Sequence, residues 1–147
     1  MVQNPRTSYR EIAVGVGANV VVTPRVGGAI ALAAADASDG WYGQLYLQSN
    51  MRLGRVRTYL STAYYEPLGA SGARQVKVNP ALVMWRVFRR MEAGGAYVFL
   101  GSAGSKAIHQ LGPALQMSVP NGRASLELLK RLHDSRTDLR VTFQAYL

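Results

Sequence analysis

The residues of this chain best suited to chemistry are arginines and tyrosines at alternating positions: Arg55, Arg57, Tyr59 and Tyr65. A period of two puts them on one face of an extended strand. Guanidinium groups neutralise phosphates, and phenol rings offer faces on which bases stack, so such a face suits single-stranded nucleic acid. A solvated sheet face, or one covered by a neighbouring subunit, accounts for the pattern equally well. Arg86, Arg89 and Arg90 form a second set at i, i+3, i+4 spacing, which places them on one side of a helix along which a phosphate backbone can lie. A solvated face of an amphipathic helix is the plainer account of these three. With Arg52, Arg74 and Lys77 the two sets make up the candidate nucleic-acid interface.

The charge distribution supports grouping them. The chain carries a net charge of +9, from 17 Lys and Arg against 8 Asp and Glu. Between Gly40 and Met91 the bases are Arg52, Arg55, Arg57, Arg74, Lys77, Arg86, Arg89 and Arg90, and the acid is Glu66. Trp41, Tyr42, Tyr46, Tyr64, Trp85 and Phe88 are threaded through the same stretch. Clustered base with interleaved aromatic rings is the footprint a polyanion selects.

Other candidate chemistry is weaker. Gly101 to Lys106 reads GSAGSK, a glycine-serine loop ending in lysine of the kind that cradles an anion, but Ala107 stands where a magnesium-binding Ser or Thr belongs. Gly15 and Gly17 lack the third glycine of a dinucleotide fingerprint. His109 and His133 have no neighbours at metal-ligand spacing, and the chain has no cysteine. Neither a carboxylate pair nor a Ser/His/Asp set can be assembled. The sequence therefore implies no catalytic residues, no metal, no cofactor and a non-enzymatic role.

The elements that must hold these residues read as follows. Residues 1–8 are aperiodic and form a flexible arm before a single β-rich domain over 9–147. Tyr9–Val14 and Asn19–Thr23 read as strands separated by a turn at Gly15 and Gly17. Val26–Ala37, rich in small residues, leans to strand and runs into a turn at Asp36–Gly40. Trp41–Gln48 alternates strictly, and Leu53–Glu66 follows it as the second arm of a hairpin with an apolar back and an Arg/Tyr/Gln front. After a loop at Pro67–Gly72, a short strand is expected at Gln75–Val78.

Two helices are expected. One spans about 80–93, with Asn79 as N-cap, Pro80 in the first turn and Gly94-Gly95 as the stop. The other spans about 125–134, with Glu127 and Arg131 as an i, i+4 pair. Ala96–Leu100 reads as a buried strand, Lys106–Leu111 as a short helix ended by Gly112-Pro113, and Leu115–Val119 as a strand before a turn at Pro120-Asn121-Gly122. An alternating strand, Leu139 to Tyr146, closes the chain. The expected class is α+β: a mostly antiparallel sheet with two main helices packed on it.

No segment reaches the ~18 apolar residues of a membrane helix, and no signal peptide is evident at the start. The expectation is a self-assembling structural protein, of the viral or phage coat kind, whose basic face contacts RNA or DNA, in the cytoplasm or a virion and away from membranes. The alternatives are a monomeric or dimeric nucleic-acid-binding accessory module and, last, an enzyme of unknown class.

Overall fold

The structure, a computed structural model, describes residues 11–145. The expected N-terminal arm lies outside them. Nine strands follow one another along the chain: β1 (Glu11–Thr23), β2 (Val26–Ala37), β3 (Gly40–Leu53), β4 (Val56–Pro67), β5 (Gln75–Phe88), β6 (Met91–Ser102), β7 (Ile108–Val119), β8 (Gly122–Arg131) and β9 (Thr137–Ala145). They form one antiparallel sheet in sequence order, each strand paired with the next, so β1 and β9 are its edges among the described residues. The class is all-β, and the α+β expectation is corrected: no helix occurs among the described residues.

Both expected helices are strands. Residues 80–93 form most of β5, a tight turn at Arg89-Arg90, and the start of β6. Asn79 and Pro80 lie in a bulge between Val78 and Ala81 instead of capping a helix. Beyond the bulge, Leu82 and Met84 point to one face and Val83 and Trp85 to the other. Apolar residues on both faces hide a period of two, and helix start and stop residues at either end complete the resemblance to a helix. Residues 125–134 are β8 and the loop after it. Glu127 and Arg131 lie on the same side of that strand and take partners elsewhere: Glu127 is 3.9 Å from Arg140, and Arg131 contacts Asp134 and Asp138. The expected helix at Lys106–Leu111 is a loop running into β7. The expected turn at Gly15 and Gly17 is the middle of β1, where the two glycines pair with Ala33 and Ala31 and leave no room for side chains.

The connections differ at the two ends of the sheet. At one end the turns are two residues long: Pro24-Arg25, Gly54-Arg55, Arg89-Arg90 and Pro120-Asn121. Gly54 and Asn121 supply the positive φ that such turns require, 58° and 55°. At the other end lie Ser38-Asp39 and the longer loops 68–74, 103–107 and 132–136.

The sheet is strongly curled. In a flat sheet β1 and β5 would be about 19 Å apart, four strand spacings. Yet the Glu11 carboxylate of β1 lies 3.6 Å from the Lys77 ammonium of β5, and Arg140 of β9 hydrogen-bonds Asn79 of β5. Both flanks thus fold toward the middle strand and define an inner, concave face and an outer, convex one. Two apolar clusters fill part of the inside: Leu82, Met84, Ala96, Val98, Ala114 and Leu129 in one, and Ala35, Ala37, Tyr42, Ala63 and Tyr65 in the other.

Candidate functional site

The register assigns every strand residue to a face. Directly paired residues share a side, so the hairpin residues Tyr42, Gln44, Tyr46 and Gln48 face inward with Tyr65, Ala63 and Ser61 opposite them. The strip expected to meet a partner is therefore interior: Arg57 and Tyr65 are buried, and Tyr59 packs against the apolar cluster that contains Met84. The apolar back of the same hairpin is the exposed side. Leu47, Leu60 and Tyr64 are all open to the surroundings.

This inversion runs through the whole sheet. Outward positions include Val14 and Val16 on β1, Ile30 and Leu32 on β2, Val83 and Trp85 on β5, Leu111 and Leu115 on β7, Leu126 and Leu128 on β8, and Val141 and Phe143 on β9, all exposed. Away from the strand ends, no outward position among the described residues carries a charge. Asp36, Glu66 and Lys130 do face outward, but each lies at or next to the last residue of its strand. Trp41, Tyr64 and Phe99 lie on the outside toward the loop end, and Trp85, Phe88 and Phe143 toward the turn end.

The inside carries the polar groups, and most are partnered. The Gln44 Oε1 and Glu127 Oε2 accept, and the Arg52 Nη1 and Arg131 Nε donate, no hydrogen bond among the described residues. Burial raises the Glu127 carboxyl above its ordinary pKa. Near the turn end the Glu92 carboxylate accepts hydrogen bonds from Arg52 at 2.8 Å and from the Arg57 Nε at 2.7 Å, while Arg57 also donates to Gln116. The Arg57 side chain is only 7 % exposed. Toward the loop end Glu11 accepts from the Gln44 amide at 2.8 Å and pairs with Lys77, whose ammonium lies 3.9 Å from the Tyr65 ring centroid. Gln110 of β7 donates to Asp138 of β9. Removed from water, each such ion or amide needs these partners to remain inside.

The ten candidate interface residues thus divide. Arg57, Tyr59 and Tyr65 are interior, Arg52 and Lys77 are half-buried in ion pairs, and Arg74 is held on the loop by three hydrogen bonds to Glu66, which raise its guanidinium above its ordinary pKa. Arg55, Arg89 and Arg90 stand in the tight turns, and Arg86 lies just before one of them.

At that end of the sheet the bases do converge. Arg25, Arg52, Arg55, Arg57, Arg86, Arg89, Arg90 and Arg123 lie in or within three residues of the two-residue turns, and Glu92 is the one carboxylate among the described residues there. The loop end is balanced. Arg74, Lys77, Lys106, Lys130, Arg131 and Arg136 face Glu11, Asp36, Asp39, Glu66, Asp134 and Asp138.

The other sequence candidates stay modest. The 101–106 segment joins β6 to β7 across an open loop, with no helix to direct N–H groups at an anion. His109 and His133 meet edge to face at 5.7 Å between ring centroids, and His109 hydrogen-bonds the Tyr97 hydroxyl at 2.8 Å. No cluster of three metal-ligating side chains occurs among the described residues.

Sequence reasoning missed that the apolar side of the sheet is the exposed one, and it missed Glu92 as the ion that holds Arg52 and Arg57. The available signal was the succession of alternating segments of about ten residues, separated by turn residues, over the whole chain. Among the described residues no helix is long and apolar enough to cross a membrane, which says nothing of crossing by strands. Comparison with family models, with curated proteins and with solved structures finds no match to this chain.

Proposed function

We propose that the chain is an integral membrane protein of the transmembrane β-sheet kind, a structural wall whose outer face lies against lipid acyl chains. The observation that carries this reading is an apolar outer face, uncharged away from the strand ends among the described residues, around a polar inside that holds ion pairs. A water-soluble sheet has the opposite polarity, since exposed apolar patches on such proteins seldom exceed a few hundred Å². Three further features support it. The strands are 9 to 14 residues long, and about 9–11 tilted residues cross a bilayer. Aromatic residues flank the aliphatic band at both ends, as interfacial girdles do. Two-residue turns at one end and longer loops at the other match the asymmetry of outer-membrane barrels. The apolar clusters and ion pairs that fill the inside favour an anchor or scaffold over an open conduit.

The nucleic-acid-contacting structural protein expected from the sequence remains the second reading, and it rests on the arginines of the turn end. A single preparation separates the two. The full chain is offered phosphatidylcholine vesicles as it is diluted from denaturant, and the vesicles are floated and washed with alkaline carbonate. The membrane reading expects carbonate-resistant β-structure in the vesicle fraction, and a band that shifts on boiling in SDS gels. A folded, monodisperse protein in detergent-free buffer that ignores vesicles would overturn it.

A further inference from the structure

We infer that the turn end carries a binding surface for anionic phospholipid headgroups, which fixes the orientation of the sheet in an asymmetric membrane; this rests on the membrane reading above. Arg25, Arg55, Arg89 and Arg90 occupy three of the four tight turns, and all four are exposed. No ion pair within the chain involves them among the described residues, in contrast to Arg52 and Arg57, which Glu92 engages.

Their position along the strands selects the ligand. The turns end the aliphatic band, so their side chains lie at the depth of lipid phosphates. Trp85, Phe88 and Phe143 lie beside them at the depth of the glycerol backbone, where amphipathic or aromatic rings settle. Guanidinium forks bind phosphate oxygens bidentately, which a lysine ammonium does not do. The loop end, with equal numbers of acids and bases, offers no comparable field. An anionic leaflet is therefore favoured on the turn side alone.

The test uses the full chain and its R55Q/R89Q/R90Q variant, inserted into vesicles of phosphatidylcholine alone and of phosphatidylcholine with phosphatidylglycerol, at low and high salt. The substitutions change only exposed turn side chains and leave the backbone carbonyls of Arg55 and Arg90 hydrogen-bonded to the Arg86 and Ser118 N–H groups, so both proteins should insert into neutral vesicles equally, which also verifies that the variant folds. The wild type should prefer the anionic vesicles, and high salt should remove much of that preference. The variant should lose on the order of 10²-fold of it, about fivefold per arginine. Insertion of the wild type into both vesicles with no anionic preference would overturn the inference while leaving the membrane reading intact. So would a preference that the variant retains in full. Failure to enter either vesicle, together with salt-sensitive capture of a single-stranded RNA oligonucleotide that the variant loses, would overturn both and assign the arginines to nucleic acid.

Discussion

The two faces of this sheet are built from the same strands, yet they obey opposite rules. Inside, Arg57, Glu92, Gln116, Glu11 and Lys77 are each met by a partner, and Met84, Val98 and Leu129 are buried among them. Outside, Val14, Leu32, Val83 and Leu128 are exposed, with no other part of the described chain covering them. A polar group is costly only where water is absent, and an apolar group only where water is present. Around Arg57, Met84 and Leu129 the inside is therefore a protein interior in which charge is held largely in pairs, and under the proposed membrane reading the outside is the surface that meets hydrocarbon.

The largest way to break that comparison is on the inside. Glu92→Gln leaves Arg57, almost fully enclosed, facing a neutral amide and Arg52 without its counter-ion. Removing one member of a buried pair costs about 3–5 kcal/mol, chiefly as the uncompensated charge left behind. Urea unfolding of the vesicle-inserted protein should show that loss, and the double variant Glu92→Gln, Arg57→Met should recover part of it. A Glu92→Gln protein as stable as the wild type would show that the inside is wet and the pairing incidental.

The next test is on the outside. Val83 lies near the middle of β5, faces outward and is 61 % exposed. In water, a surface Val83→Arg change away from any special feature stays within about ±0.5 kcal/mol. Against lipid near the bilayer midplane the same change costs about 2–4 kcal/mol. A loss well beyond that band of about ±0.5 kcal/mol is therefore the signature of lipid. A near-zero change in vesicles would place β5 outside the hydrocarbon.

How much of this could be read from the sequence follows from what periodicity encodes. Alternation reports which residues share a face, and it gave Trp41–Gln48 and Leu53–Glu66 their correct pairing of sides; the turns at Asp36–Gly40 and Pro120–Gly122 were likewise visible in their Asp, Asn, Gly and Pro. It does not report which face meets solvent. Assigning Arg57 and Tyr65 to the outside assumed water on that side, and the assumption inverted the molecule. The helices were misread for a second reason. Around Leu82 and Met84 the inner cluster is itself apolar, so both faces of β5 look alike and the period of two vanishes. Caps such as Asn79-Pro80 then decide in favour of helix, because nothing local reveals that the bulge residues Asn79 and Pro80 interrupt a sheet. The arginines of the turn end were legible as a cluster, although their division between interior pairs and open turns depends on register.

The smallest test compares two glycines on opposite faces of neighbouring strands. Gly112 of β7 faces inward, paired with Ala96, and Gly95 of β6 faces outward, paired with Pro113. A Cβ on Gly112 would lie 1.8 Å from the Leu128 carbonyl oxygen and 3.2 Å from the Leu129 Cα, both backbone atoms that cannot swing aside. Gly112→Ala should therefore force the β7–β8 ladder apart and cost about 1–3 kcal/mol, the usual range for overpacking. A Cβ on Gly95 would meet nothing closer than the Gly112 carbonyl oxygen at 3.9 Å, an ordinary contact. Gly95→Ala should be neutral or should stabilise by up to about 1 kcal/mol through the lower entropy of the unfolded chain. Paired unfolding curves in the same vesicles read both changes. If Gly95→Ala proved the more damaging of the two, the assignment of faces on β6 and β7 would have to be exchanged, and the polarity argument built on it reversed.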